Sequence, residues 1–92
     1  MFRVRDVTAT PQQEEHIWVK HRVTLEEVEE VCSSHPLFIR GRDKSYAVYG
    51  QTESGRYLLV VLFPKGQGVY SLATARDINE AERSRYQRLR GG

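Results

Sequence analysis

The sequence predicts an α+β domain. A small antiparallel sheet of three to four strands carries two N-terminal helices and one C-terminal helix, in the order β-α-α-β-β-β-α. Three observations predict it. Two helix-start signatures follow one another between Thr10 and Glu27. Apolar stretches separated by glycine-bearing turns fill residues 37–75, and a third helix start at Asn79 leads into an arginine-rich end. Ninety-two residues support one modest core, so residues 1–92 read as a single domain whose site is an open groove on a sheet or helix face.

The elements follow in order. Phe2, Val4 and Val7 alternate with charged residues and predict a short opening strand. Thr10 is placed to cap a helix with Pro11 in its first position and Gln13 completing a capping box; that helix runs to about Lys20. Thr24 and Glu27 form a second capping box, with Val23 and Val28 spaced as a hydrophobic staple. Leu25, Val28, Val31 and Cys32 make its apolar stripe, and Ser33-Ser34-His35-Pro36 ends it. Leu37–Arg40 and Tyr46–Tyr49 read as strands around the turn 41–44. Thr52–Gly55 is a hairpin turn, and Arg56–Phe63 a central strand, its nearly continuous apolar run implying cover on both faces. Pro64–Gly68 forms the next turn and Val69–Ala75 the last strand. Asn79 and Glu82 then make a third capping box, with Ile78 and Leu89 on the apolar side of the final helix.

The net charge of +2 hides an asymmetry. Residues 1–39 carry four Lys/Arg against seven Asp/Glu, whereas residues 40–92 carry ten against five. A basic half of that kind concentrates a polyanion. Arg83, Arg85, Arg88 and Arg90 are equally explained as cations at the negative pole of a helix or as contacts for an acidic protein. A lone Cys32, no apolar leader and no long apolar run predict a protein of the cytoplasm with no membrane association.

Lys20-His21 followed by Val23-Thr24-x-Glu26-Glu27, then Gly50-x-Thr52 with Gly55-Arg56, then Ala75-Arg76 with Glu82-Arg83-x-x-Tyr86, resembles the BrnT family, toxins of bacterial type II toxin–antitoxin systems. The resemblance spans about residues 14–86. It departs from the usual pattern in the opening Phe2–Asp6, where Trp-Asp is usual, and in Ile17, where Asn is usual, and so marks a divergent branch. It implies a compact fold similar to the RelE-type ribonucleases and an mRNA-interferase type of endoribonuclease needing neither metal nor cofactor. It also implies RNA and a cognate antitoxin protein as partners.

Metal-independent RNA cleavage by 2′-hydroxyl attack needs a base, cations for the phosphorane and an acid for the leaving oxygen. His21 suits the proton transfers, its ordinary pKa of about 6.5 allowing both roles. Arg56 and Arg76, at strand ends, suit the phosphate through the planar guanidinium fork; these three are the candidate catalytic residues. Lys20, Arg83 and Tyr86 are the candidate RNA-binding residues. Each has a bland alternative: a helix cap for His21, a carboxylate partner such as Glu82 for Arg76, and core packing for Tyr86. Glu82 reads as orienting or structural, through the Asn79 cap. Trp18 reads as core, Cys32 as an inert buried thiol, and His16 and His35 as surface or turn residues with no metal role. A catalytically inactive BrnT-like module that binds an antitoxin or nucleic acid is the alternative function. A structural protein that self-associates through its charge asymmetry is a third.

Overall fold

A computed structural model describes residues 4–91, with the side chains of residues 90 and 91 excepted. Its elements are β1 (Asp6–Thr8), α1 (Pro11–His21), α2 (Leu25–Ser33), β2 (Leu37–Arg40), β3 (Tyr46–Gln51), β4 (Tyr57–Gly66), β5 (Val69–Asp77) and α3 (Glu80–Gly91). The β-α-α-β-β-β-α prediction expands by one strand. Five strands, rather than three to four, form one sheet in the order β1-β5-β4-β3-β2. Nor is the sheet wholly antiparallel: β1 pairs in parallel with β5, Val7 opposite Tyr70. A three-residue strand carries too little periodicity to announce its partner; burial of Val7 and the Arg5 N–H donating to the Gly68 carbonyl at 2.7 Å place it. The Phe2 end of the predicted opening strand lies outside the described residues.

All three capping boxes form. Thr10 accepts from the Gln13 N–H at 3.1 Å and Thr24 from that of Glu27 at 3.1 Å, while the Glu82 N–H donates to the Asn79 side chain at 2.8 Å. Between the first two helices Arg22 adopts a left-handed conformation (φ 53°), and the Arg22 and Val23 N–H groups close back on Trp18 and Ile17. The chain thereby reverses within three residues and both helices fold onto one face of the sheet.

That face holds the core: Ile17, Val23, Val28, Val31, Val48, Leu58, Val60, Leu62 and Leu72 are fully buried. Gly50 lets β3 approach α2, since a Cβ there would stand 2.9 Å from Val31 Cγ1 and 3.2 Å from its carbonyl oxygen. β4 is central as expected, but among the described residues its second face is buried chiefly at the Tyr57–Leu59 end, where Tyr57 meets Tyr86 of α3. Further along, Phe63 is 39% exposed. β4 also runs through Pro64 to Gly66, because Pro64 lies where β4 has outrun β3 and has one strand neighbour, a setting that tolerates proline.

Two further expectations change. Trp18 is 47% exposed rather than core, with the Arg22 guanidinium 5.2 Å from its ring centre; Ile17 takes the buried position of α1. Leu89 is 51% exposed, and Tyr86 anchors α3 instead. Cys32 sits half-buried against the core, its thiol pushed up to about 12 by desolvation and the neighbouring Glu29 charge. It is therefore protonated and unreactive near neutral pH.

Candidate functional site

The candidate residues gather at the end of the sheet where β4 begins and β5 stops. The β3–β4 turn aims Arg56. Thr52, itself buried, accepts the Arg56 N–H on its hydroxyl at 3.0 Å, and its own N–H donates to the Arg56 carbonyl at 2.8 Å. Gly55 closes the turn at φ 94°. Thr52 and Gly55-Arg56 are thus the parts of one turn that holds Arg56 against the helix pair, while Gly50, one strand residue earlier than Gln51, serves the close packing of β3 on α2.

Arg56 spends its whole fork there. Nε donates to Asp77 Oδ1 at 2.7 Å and Nη2 to Asp77 Oδ2 at 2.9 Å. Nη2 also donates to the His21 carbonyl and Nη1 to the Arg22 carbonyl, each at 2.6 Å. Nη1 reaches both oxygens of Glu27 at 3.3 Å. A guanidinium has five N–H donors, and these bonds engage all of them. Arg56 therefore ties the last carbonyls of α1, the first turn of α2 and the end of β5 into one node. The Arg56 hydrogen bonds hold the Asp77 carboxyl below the usual carboxylate range, and the His21 charge lowers it further. His21 is half-buried at this node; its ring stands 6.3 Å from that of His16 at a steep angle. Lys20 is exposed on the neighbouring turn and lines, with Gln12, Glu15, His16 and Val19, a shallow pocket of about 260 Å³.

Arg76 lies elsewhere. Successive strand residues point to opposite faces, so Asp77 faces the Arg56 node and Arg76 the other side, in register with Leu59 and Tyr49. There Nη1 and Nη2 of Arg76 meet the two oxygens of Glu82 at 2.8 Å each. Glu82 also accepts the Asn79 N–H at 2.9 Å, so one carboxylate caps α3 and binds the arginine. The Arg76 hydrogen bonds hold the Glu82 carboxyl below its usual range. The Arg83 guanidinium covers the Tyr57 ring at 4.4 Å from its centre. Tyr86 is 3% exposed and packs edge-on against Tyr57, which withdraws its ring from any base at the surface.

The structure thus brings His21 and Arg56 together, and Arg76 with Glu82 and Arg83, on opposite faces of one sheet end. Sequence reasoning missed Asp77, the principal partner of Arg56; its signal was its place after Arg76, which strand alternation sends to the other face. Among the described residues no group of three or more His, Cys, Asp or Glu is placed to hold a metal ion. Among them, too, no helix is long and apolar enough to cross a membrane.

A mixed five-stranded sheet with a capped helix pair on one face and a third helix at one end of the other defines a small α+β domain of the BrnT-like kind. One solved structure it resembles is that of the Brucella abortus ribonuclease toxin BrnT, with a TM-score of 0.69 over 82% of this chain and 97% of that one. Sequence identity between them is 13%, so the chain has a BrnT-like fold in divergent form. No protein-family profile matches the sequence, and no curated protein matches it.

Proposed function

We propose that the chain is the toxin of a type II toxin–antitoxin pair, acting in the cytoplasm as an endoribonuclease that uses the RNA's own 2′-hydroxyl as nucleophile. The observation that carries this reading is the BrnT-like fold combined with the node that fixes His21 at an exposed sheet end. In this reading His21 transfers the protons. Arg56 is a positioning residue, holding the backbone of His21 and Arg22 while its charge faces Asp77. Arg76 meets the phosphate by exchanging Glu82 for it, and Lys20 and Arg83 draw the strand across the end of the sheet. Tyr86 supports Tyr57 from beneath. A cognate antitoxin covers this end and blocks the exchange.

One observation favours a second reading, a BrnT-like module that binds an antitoxin or nucleic acid without cutting. Both strand arginines are already paired with carboxylates, and they lie on opposite faces. Cleavage of a labelled single-stranded RNA pool in EDTA separates the two. Products ending in 2′,3′-cyclic phosphate, lost in His21→Ala and in Arg76→Ala, support the enzyme. Retention of RNA with no cleavage supports the binding module.

A further inference from the structure

Charge is handled differently at the two ends of the sheet. At the end just described, carboxylates neutralise both strand arginines. The β2–β3 and β4–β5 connections and the entry into β1 lie along the other end of the sheet, the first two beside each other and the third at the far edge, because Tyr46 pairs with Leu62 and both Gly66 and Asp6 pair with Val69. These segments carry Arg5, Arg40, Arg42, Lys44 and Lys65, all exposed, against Asp6 and Asp43. Every ion pair among the described residues involves Arg56 or Arg76. None of the five distal cations, therefore, has a carboxylate of the described residues within ion-pair distance.

The β2–β3 tip is also fixed in shape. The Gly41 N–H donates to the Ser45 carbonyl at 2.8 Å, and the Ser45 hydroxyl to the Arg42 carbonyl at 2.6 Å. Asp43 and Lys44 both sit in the left-handed region, at φ 53° and 65°. Arg42 and Lys44 thus project from a set backbone. Beside them Phe63, at 39% exposure, lies on the sheet face away from the helix pair, two residues before Lys65.

Unneutralised cations next to an exposed ring are what a single-stranded nucleic acid needs: the cations meet phosphates and the ring stacks on a base. The carboxylates of an acidic protein segment would meet the cations but gain nothing from the negative face of the ring. We infer that this end of the sheet is a second contact surface for single-stranded RNA. Arg42, Lys44 and Lys65 hold its backbone and Phe63 a base. Eight residue steps along β5 lead from Val69 to Asp77, which places this surface roughly 26 Å from the Arg76 end at about 3.3 Å per step. The inference rests on the proposed function only in choosing RNA among polyanions.

The test is fluorescence anisotropy of a labelled 2′-O-methyl oligouridine across a range of salt. That probe lacks the attacking hydroxyl, so binding is read whether or not the chain cuts. Removing three phosphate contacts with combined Arg42→Ala, Lys44→Ala and Lys65→Ala should lower the salt slope by about 2 and weaken binding about 100-fold at 0.1 M salt. Phe63→Ala should weaken it about tenfold with the slope unchanged. If the triple variant melts early, Lys65→Ala alone, with a slope lower by about 0.7, carries the same test. An unchanged slope overturns the inference. So does a poly-glutamate competitor as effective as oligouridine with no effect of Phe63→Ala, which would assign the surface to an acidic protein. Loss of cleavage in His21→Ala or Arg76→Ala without a change in this slope bears on the proposed function alone.

Discussion

Replacing Arg56 by alanine removes a side chain that binds three elements, and the structure sets the size of the effect. The two carbonyl hydrogen bonds at 2.6 Å are worth about 1 kcal/mol each, since the freed carbonyls at the α1 terminus regain water. The Asp77 pair adds less than about 1 kcal/mol, because Asp77 is 58% exposed on its side chain and solvent screens it. The longer bonds to Glu27 add a few tenths, leaving an expected loss of about 3 kcal/mol. A 92-residue domain has about 5–14 kcal/mol in total, so this is a large fraction. Urea denaturation followed by far-UV circular dichroism measures it, and Arg56→Lys, which keeps the charge but not the fork, should lose about half as much. A change within about 0.5 kcal/mol, accompanied by lost RNA cleavage, would sink the argument; the guanidinium would then be available to a phosphate.

Other outcomes follow from the same geometry. The Asp77 and Glu82 carboxyls are held low in the folded chain, so their contribution is complete above the ordinary carboxylate value of about 4 and disappears as pH falls through the lowered folded values. Asp77→Asn and Glu82→Gln should each shallow the acid limb of a stability-against-pH curve; a limb unchanged in both would contradict the pairing. Glu82→Gln should also tighten salt-sensitive RNA binding severalfold by releasing Arg76, measured by filter retention. Gly50→Ala should cost about 1–3 kcal/mol, because its Cβ meets the Val31 side chain and backbone; a neutral result in thermal melting would mean that α2 yields freely. Trp18 fluorescence should emit at solvent-exposed wavelengths and be quenched by iodide, and Trp18→Ala should cost under about 1 kcal/mol.

The legible parts of this chain are those whose cause is local. Capping boxes at Thr10, Thr24 and Asn79 announce the helices because partner and cap stand three residues apart. The apolar run of β4 announces a central strand because its length exceeds what an edge strand buries. Trp18 was misread because α1 buries a single position, Ile17, and no stripe tells which neighbour faces water. Arg56 illustrates the limit more sharply. The sequence marks it as a strand-end cation, but its meaning lies with Asp77, Glu27 and two backbone carbonyls at separations of 21, 29, 35 and 34 residues. The parallel pairing of β1 with β5 is equally non-local.

Glu27 and Glu82 each hold two offices at once. Glu27 receives the Thr24 N–H that starts α2 and also an Arg56 N–H; Glu82 receives the Asn79 N–H that starts α3 and the fork of Arg76. A helix start and a strand end therefore depend on the same pair of oxygens. The first turns of α2 and α3 should not fray on their own, and their amide protons should exchange in step with those at the adjoining ends of β4 and β5. Two glutamates thus turn what would be local opening into a cooperative event, and a single substitution at either loosens a helix and a strand together.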